Sequence, residues 1–449
     1  MNNYYKKILM IAIPIALQNL MTMGISLIDS FSVGSIGEAE LTAVAQAGQI
    51  FMILSISMFG MTSGSNVLIA QYWGKKDIKS IQQVMGYSIK IMIMLSLTLT
   101  FVCYFFSVQI MSTLSNQQAL IDLGSSYLKT VCVSYLLYGI TTVIGGMLRG
   151  VGTVRITMVA SFISICASLF FNWYFVFGDV GLKLGVIGSA YANILARIFE
   201  VSIILIYVFF FEKKVNFRSK EILHIDKEIK KSYISNCLPV IANEMVWVFG
   251  FSALTMIAGH MPAVFTTSYS IFTVIGQISN VMGQGVAIAS AIQIGTIIGA
   301  GQLEKLPAET KKLKRIAFCV GILAASFILV MIPFIPHLYN ITDETYRVVV
   351  SFMLVGCVIE VFRNTGYTIN LGILRGAGDA KFVFFVDVFF LWTVGVGLGY
   401  LCGVVLKLPL PFVFLLLRGD DIIKCIGGYF RVKYGNWVHQ VTKIYTELV

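Results

Sequence analysis

Apolar segments long enough to cross a bilayer recur along the whole chain, and they constrain its fold more than any other feature. Of the 449 residues, 57% are hydrophobic and 12% are charged, whereas a soluble domain carries about 25% charged residues. No soluble core could bury this much apolar surface, so we predict an all-α integral membrane protein. The twelve predicted transmembrane helices cover residues 8–36, 42–72, 84–110, 121–148, 155–178, 184–211, 234–259, 263–298, 316–339, 345–373, 382–405 and 408–429.

The basic residues predict how these helices are oriented. About 27 of the 33 Lys and Arg residues lie on or near one side of a twelve-helix protein, and the positive-inside rule assigns that side to the cytoplasm. We therefore expect a multi-pass protein of the inner (cytoplasmic) membrane with both termini in the cytoplasm. The first helix is too long for the apolar region of a cleavable signal peptide, so we expect it to be retained.

The two halves of the chain repeat each other. Three pairs of matching residues are separated by 225, 225 and 226 positions: Pro14 and Pro239, Gly74 and Gly299, Arg149 and Arg375. Each half has six predicted helices, so the halves should be parallel repeats related by an axis along the membrane normal. The predicted domains are a six-helix bundle at 1–211, a cytoplasmic linker at 212–233, and a second six-helix bundle with a short cytoplasmic tail at 234–449.

Five acidic residues fall within the strongly apolar parts of the predicted spans, and a charge there is costly enough to indicate function: Asp29, Glu200, Glu244, Glu360 and Asp387. Arg197 precedes Glu200 by three residues and Arg363 follows Glu360 by three. That spacing places each pair on one helix face, where it can form a local ion pair.

Asp29 and Glu244 have no such local partner. A buried carboxyl group can take up a proton, and with oxygen-bearing neighbours it can instead hold Na⁺. A protonated acid held by an amide, without a coupling role, is the alternative for each. The repeat places Asp29 opposite Leu254 and Glu244 opposite Asn19, so the two acids are not equivalent to each other.

The remaining polar and reactive residues favour a wet interior rather than a catalytic centre. The cysteines and histidines are scattered, so we expect no resident metal, cofactor or enzymatic activity. The net charge is +11, but the basic residues alternate with apolar spans, which indicates membrane topology and not nucleic-acid binding. Four glutamines within spans are candidates to line a polar cavity, although each alone suits a contact between helices: Gln46, Gln49, Gln277 and Gln284.

Six motifs along the chain together resemble one known family. They are LIDSFSVGSIG in the first span, AQYWGKKD after the second, LRGVG and LRGAGD after the fourth and tenth, NWYFVFG in the fifth, and DDIIK near the C-terminus. Taken together, and in their order along the chain, they resemble the multidrug and toxic compound extrusion (MATE) family, in its bacterial form. The resemblance implies a cation-coupled antiporter that exports organic, often cationic, compounds in exchange for H⁺ or Na⁺.

The resemblance also implies roles for individual residues. Asp29 stands where the family has its cation-coupling aspartate. Asn172 stands where some members have a fifth-span aspartate and others an asparagine, and Asn193 lies near a sixth-span polar ligand. Asp29 is therefore the leading coupling residue, with Asn172 and Asn193 as its oxygen-bearing neighbours.

The second half departs from the family pattern. Glu244 matches the seventh-span glutamate that one branch uses for cation binding. The tenth-span aspartate position holds Asn364, and the nearest acid, Glu360, lies one turn earlier. These three residues are secondary candidates for cation or substrate binding.

The alternative function is a flippase for lipid-linked precursors with a related two-bundle architecture. Such a protein should have a strongly cationic cavity, whereas five acids against Arg197 and Arg363 within the spans favour cationic cargo. We expect small organic compounds and the lipid bilayer as partners, and a monomeric protein.

Overall fold

The computed structural model describes residues 3–177, 182–217 and 220–442, and no β-strand occurs among them. Residue 178 of the fifth predicted helix, residues 218–219 of the predicted linker and residues 443–449 of the predicted tail lie outside this part. Its α-helices are α1 (Asn3–Gly34), α2 (Glu38–Lys75), α3 (Ile78–Phe105), α4 (Ser107–Leu114), α5 (Gln118–Val131), α6 (Ser134–Gly150), α7 (Arg155–Asn172), α8 (Gly185–Ile206), α9 (Lys227–Gly259), α10 (Ala263–Gly299), α11 (Leu306–Met331), α12 (Ile335–Leu338), α13 (Asp343–Tyr367), α14 (Ala380–Phe390) and α15 (Leu410–Tyr434).

The predicted all-α membrane fold is confirmed, with a span count close to the expected twelve. In the described chain, ten helical segments are long and apolar enough to cross a membrane. Helices α5 and α6 meet at a bend of 50° and would together make an eleventh span, which coincides with the predicted helix 121–148. The predicted helix 408–429 forms as α15, which is not among these ten segments and carries Arg418, Asp420, Asp421 and Lys424 near its middle.

Local sequence signals explain several helix boundaries. The Asp77 carboxylate accepts hydrogen bonds from Ser80 N at 3.0 Å and Ser80 Oγ at 2.6 Å, which caps the start of α3. Thr342 caps α13 in the same way through the backbone N–H of Thr345 at 3.3 Å. The prolines at 262 and 409 directly precede α10 and α15, where the missing N–H costs nothing.

The LRG motifs form equivalent tight turns. Gly152 in LRGVG has a φ of 76° and Gly378 in LRGAGD has a φ of 88°. An L-residue adopts this left-handed conformation only at a cost, whereas glycine adopts it freely. The second glycine of each motif therefore lets the chain leave one span and enter the next.

Several spans end in π-helical turns, a feature that frequently marks functional sites. Trp173–Phe177 continues α7, Thr368–Leu374 continues α13, and Leu391–Leu398 continues α14. In such a turn the hydrogen bonds skip one residue more than in an α-helix, so the side chains change direction. The first of these turns begins directly after Asn172.

The helices form two compact units. The amino unit comprises the described residues of Leu17–Ile69 and Asp77–Cys237. The carboxyl unit comprises those of Met1–Ala16, Ala70–Lys76 and Leu238–Val449. The division thus falls inside α1, α2 and α9, and the predicted domain boundaries at 211 and 234 stay a prediction.

An aromatic cluster forms part of the core of the carboxyl unit. The rings of Phe352 and Phe414 stack with centroids 4.4 Å apart, and Phe272 meets Phe414 edge-on at 4.8 Å. Phe265 packs edge-on against Phe352 at 5.1 Å. All four side chains are buried, so this cluster fixes α10, α13 and α15 against one another.

Candidate functional site

Asp29 lies in the second half of α1, and two asparagine amides hold its carboxylate. Asn172 Nδ2, at the end of α7, donates to Asp29 Oδ1 at 3.1 Å. Asn193 Nδ2, on α8, donates to Asp29 Oδ2 at 2.9 Å. The structure thus brings the three predicted coupling residues together within the amino unit. Their role in coupling stays a prediction.

Asn172 is the most deeply buried of the three, with 1% of its surface exposed. Its Nδ2 also donates to the backbone oxygen of Ser168 at 3.0 Å, one turn earlier on α7. Its Oδ1 is buried and has no hydrogen-bond partner in the described part of the chain. An unpaired buried acceptor is costly, so this oxygen marks a place where a proton donor or a cation would be stabilised.

A buried ion pair on α8 lies close to this group. Arg197 Nη1 meets Glu200 Oε2 at 2.6 Å, as the spacing predicted. Ser161 Oγ donates to the other oxygen of Glu200 at 3.2 Å, and the Arg197 guanidinium lies over the ring of Tyr138 at 5.1 Å. In the described part of the chain Arg197 forms its ion pair with Glu200 and none with Asp29.

The secondary candidates Glu360 and Asn364 lie together on α13. Glu360 is fully buried, and its Oε1 accepts a hydrogen bond from Asn280 Nδ2 at 2.9 Å. Arg363 Nη1 lies 3.4 Å from the same oxygen, which is the predicted local pair. Asn364 Nδ2 donates to the backbone oxygen of Glu360 at 2.9 Å and lies 3.3 Å from its Oε2.

Glu244, the third secondary candidate, pairs instead with a residue far along the chain. Arg375 Nη1 donates to Glu244 Oε1 at 2.8 Å, across 131 residues. In the amino unit Arg149 Nη1 donates to Gln18 Oε1 at 3.1 Å, also across 131 residues. Gln18 therefore makes in the amino unit the contact that Glu244 makes in the carboxyl unit. Counted from Pro14 and Pro239, the repeat places Glu244 opposite the next residue, Asn19.

A charged cluster that the sequence analysis did not assign to a site lies on α15. Lys424 Nζ contacts Asp420 Oδ2 at 2.8 Å and Asp387 Oδ1, on α14, at 3.8 Å. Asp421 Oδ2 lies 3.6 Å from Arg363 Nε. The spacing of four between Asp420 and Lys424 was a signal that these charges share one helix face.

This cluster corrects the balance of charges predicted within the spans. Five acids against two arginines left out Arg375 and the charged residues of α15. With them included, Glu200, Glu244, Glu360 and Asp387 each contact a cation. Asp29 is the one of the five predicted acids that forms no ion pair in the described part of the chain.

The four glutamines proposed for a polar cavity are placed on two helices. Gln46 and Gln49 lie on α2 in the amino unit, whereas Gln277 and Gln284 lie on α10 in the carboxyl unit. Gln46 is half-buried, and its Oε1 has no hydrogen-bond partner among the described residues. The other three are exposed, and their place in a cavity stays a prediction.

Asp29 is surrounded by side chains that carry oxygen atoms. One carboxylate, two carboxamides and the Ser168 hydroxyl supply oxygen atoms, the type of atom to which both H⁺ and Na⁺ bind. Among the described residues no group of three His, Cys, Asp or Glu could hold a metal ion. The binding of a coupling ion at Asp29 stays a prediction.

Comparison with known proteins identifies the family. The MatE family model matches residues 14–174 and again residues 239–401, so it finds the two halves of the repeat separately. The chain belongs to the MatE family. The predicted resemblance to the MATE transporters is therefore confirmed, as is the repeat that begins at Pro14 and Pro239.

Known MATE relatives cover almost the whole chain at low identity. The uncharacterized transporter YisQ of Bacillus subtilis (strain 168) is 22% identical over 95% of this chain and 94% of its own length. The multidrug resistance protein MdtK of Yersinia pseudotuberculosis serotype O:1b (strain IP 31758) is 20% identical over 89% of this chain and 87% of its own.

A solved MATE structure shows the same fold. An outward-facing multidrug resistance MATE family transporter of the MOP superfamily superposes with a TM-score of 0.86 at 19% identity, over 95% of each chain. The protein is thus a multi-span membrane protein of a transporter family.

Proposed function

We propose that the protein is a secondary active antiporter, which exports organic, cationic and amphipathic compounds in exchange for H⁺ or Na⁺. The observation that supports this most directly is the setting of Asp29. It is held by two amides, whereas the other predicted span acids are each neutralised by a cation. A carboxylate left available in this way can bind and release a coupling ion.

Protonation of Asp29 would force its neighbours to rearrange. Both oxygens of the charged carboxylate accept an amide N–H. A proton on either oxygen would make that oxygen a donor, which cannot bond to the amide N–H that faces it. The Asn172 or Asn193 amide must then rotate to present its oxygen. Since Asn172 also donates to Ser168 and precedes the π-helical turn Trp173–Phe177, its rotation would disturb the end of α7.

Na⁺ would act on the same groups. Carboxylate, carboxamide and hydroxyl oxygens are hard ligands that suit an alkali cation. Rotation of the Asn172 amide would turn its unpaired Oδ1 towards Asp29 and add an oxygen ligand. Both ions therefore favour the same rearrangement, which makes either one a suitable coupling ion.

Coupling to cargo then follows from linkage. If ion binding at Asp29 favours the state that releases cargo outward, bound cargo must weaken ion binding by the same factor. The name of MdtK, a multidrug resistance protein, supports organic cargo. We place the transporter in the inner membrane as a monomer with both termini cytoplasmic. The distribution of basic residues supports the position of the termini.

The proposal is tested with purified protein in liposomes. A pH gradient and a Na⁺ gradient, each alone, are applied to vesicles that contain a fluorescent organic cation. We expect one of them to drive dye transport, and Asp29→Asn to abolish this dependence. Asp122→Asn, a matched change at an exposed acid of α5 whose partner is Gln118, should leave transport unchanged.

Two results would contradict the proposal. Full ion-driven transport by Asp29→Asn would exclude Asp29 as the coupling residue. Dye transport that requires a lipid-linked precursor, or movement of such a lipid without dye transport, would favour the flippase.

A further inference from the structure

The carboxyl unit contains a groove that the transport site does not use. It has a volume of about 900 Å³ and lies between the start of α1, α11, α13 and α15. Its floor consists of buried core residues, including Ile316, Val320 and Ile369. Its rim carries exposed apolar side chains such as Phe318 and Leu323. The groove is therefore open to the surroundings, and its floor and rim are apolar.

One end of this groove is cationic. Lys311, Lys314 and Arg315, all near the start of α11, contribute to its lining. None of these three forms an ion pair in the described part of the chain. Their neighbour Lys312 is the residue that pairs with Glu309, at 3.0 Å. The groove thus keeps three positive charges for which its own walls supply no carboxylate.

The ring of Tyr429 holds Lys314, the middle one of these three basic residues in the sequence. The Lys314 ammonium lies 4.6 Å from the centroid of the Tyr429 ring, on the facing helix α15. This contact holds the charge over the wall of the groove instead of letting it extend away. Lys433, one turn further along α15, is close enough to repel Lys314, which adds a fourth positive charge at this end.

The dimensions of the groove match one leaflet of a bilayer. From Lys311 to Leu323, both of which line it, α11 rises about 18 Å at 1.5 Å per residue. One leaflet of hydrocarbon is about 15 Å deep, half of the usual core. Since α11 belongs to a spanning segment, Leu303–Leu338, its basic end lies at headgroup depth and its apolar part lies beside the acyl chains.

We propose that this groove is a binding site for one anionic phospholipid, with the headgroup phosphate at Lys311, Lys314 and Arg315 and an acyl chain along α11. Charge complementarity selects an anionic lipid over a zwitterionic one, because the groove offers cations and no acid. The apolar floor selects a lipid over a soluble phosphate. Basic pockets between transmembrane helices are suited to such headgroups.

Native mass spectrometry of the full-length protein tests the site. Dioleoyl phosphatidylglycerol and dioleoyl phosphatidylcholine are added separately to delipidated protein in detergent, and the retained lipid is counted. We expect one phosphatidylglycerol to be retained in preference to phosphatidylcholine. The triple variant K311Q/K314Q/R315Q should lose about tenfold or more of that preference, since each cation near a headgroup contributes about fivefold.

A matched triple variant separates this site from general attraction to basic residues. K227Q/K230Q/K231Q removes three exposed lysines from the start of α9, where they line no described groove. It should keep the preference. Equal loss in both variants, or a preference that survives K311Q/K314Q/R315Q, would overturn the proposal.

A second pair of variants tests the apolar part and does not depend on the charges. Cys319 is exposed and lines the groove, so Cys319→Trp should fill it and lower the retention of both lipids. Cys166 is exposed on α7 and lies outside the groove, so Cys166→Trp should change nothing. Unchanged retention in Cys319→Trp, or displacement of the lipid by excess inorganic phosphate, would also overturn the proposal.

Discussion

Arg375 donates a hydrogen bond to Glu244 at 2.8 Å from a position where only 2% of the arginine side chain is exposed. The equivalent arginine of the first half, Arg149, makes the same contact with the neutral Gln18. Each half therefore has an arginine that donates to a side-chain oxygen, and this oxygen belongs to a charged residue in the second half and to a neutral one in the first. Each arginine follows the tenth or fourth span at the LRG turn, so the contact secures that turn to the first helix of the same half.

This relationship predicts a structural role for Glu244. Glu244→Gln should retain ion-driven transport, because it reproduces the pair found at Gln18 and Arg149. Glu244→Ala should lower the stability of the protein by about 3 kcal/mol, since it takes a carboxylate from a buried arginine. Thermal unfolding in detergent and dye transport in liposomes measure the two effects. Loss of ion coupling in a stably folded Glu244→Gln would instead make Glu244 a cation ligand.

The amides around Asp29 predict a change in the pH dependence of transport. An N–H that hydrogen-bonds a carboxylate stabilises the charged form. Asn193→Ala removes the 2.9 Å contact, so Asp29 should take up its proton at a lower proton concentration. The pH at which transport is half-maximal should therefore rise, by about one unit for a lost contact of about 1.4 kcal/mol. The dye assay measures this at a series of external pH values.

Asn236→Ala is the matched control for this experiment. Asn236 on α9 donates to the backbone oxygen of Ser232 within its own helix, so its loss should leave the pH profile in place. A fall in the half-maximal pH of Asn193→Ala would contradict the assignment of its amide as the donor.

The ion pairs of α15 predict that removing the Lys424 ammonium lowers the stability of the protein. Lys424 is buried between Asp420 and Asp387. Lys424→Met leaves two buried carboxylates without this cation, which should cost about 3–5 kcal/mol. Lys305→Met, at an exposed lysine whose ammonium donates to Gln302, should leave the unfolding temperature unchanged. An unaltered unfolding temperature for Lys424→Met would show that the pair is solvated and unimportant to the fold.

Gly74 on α2 and Gly299 on α10, which the repeat matches, lie where these two helices cross closely. A Cβ atom on Gly74 would collide with the backbone of Thr296 and Ala300, and one on Gly299 would collide with the backbone of Gln71. Gly299→Ala should therefore destabilise the protein by about 1–3 kcal/mol through overpacking. Gly48→Ala, where a Cβ meets no neighbour, should be tolerated or stabilise α2 by up to about 1 kcal/mol. Equal unfolding temperatures for the two variants would exclude the close crossing.

Composition and periodicity were sufficient for the helices, because a bilayer admits few alternatives for a chain this apolar. The grouping of Asn172 and Asn193 around Asp29 came from the resemblance to the family, since 143 and 164 residues separate them from it. No local pattern could supply that proximity.

The partners of the remaining acids likewise show that contacts within one helix can be predicted from the sequence, whereas contacts between distant helices cannot. The pair of Arg197 and Glu200 follows from a spacing of three. The pair of Arg375 and Glu244 spans 131 residues and depends on the packing of two distant helices. Glu244 therefore lacked a partner in the sequence and has one in the structure.

The charged face of α15 has a consequence for how the protein is made. A helix with arginine, lysine and two aspartates near its middle is costly to insert into a membrane alone, at about 2.5–3.5 kcal/mol for each such residue. Two of these charges, Asp421 and Lys424, have partners on helices that are synthesised earlier: Arg363 on α13 and Asp387 on α14. We therefore expect α15 to enter the bilayer beside the helices that carry these partners, and later than they do.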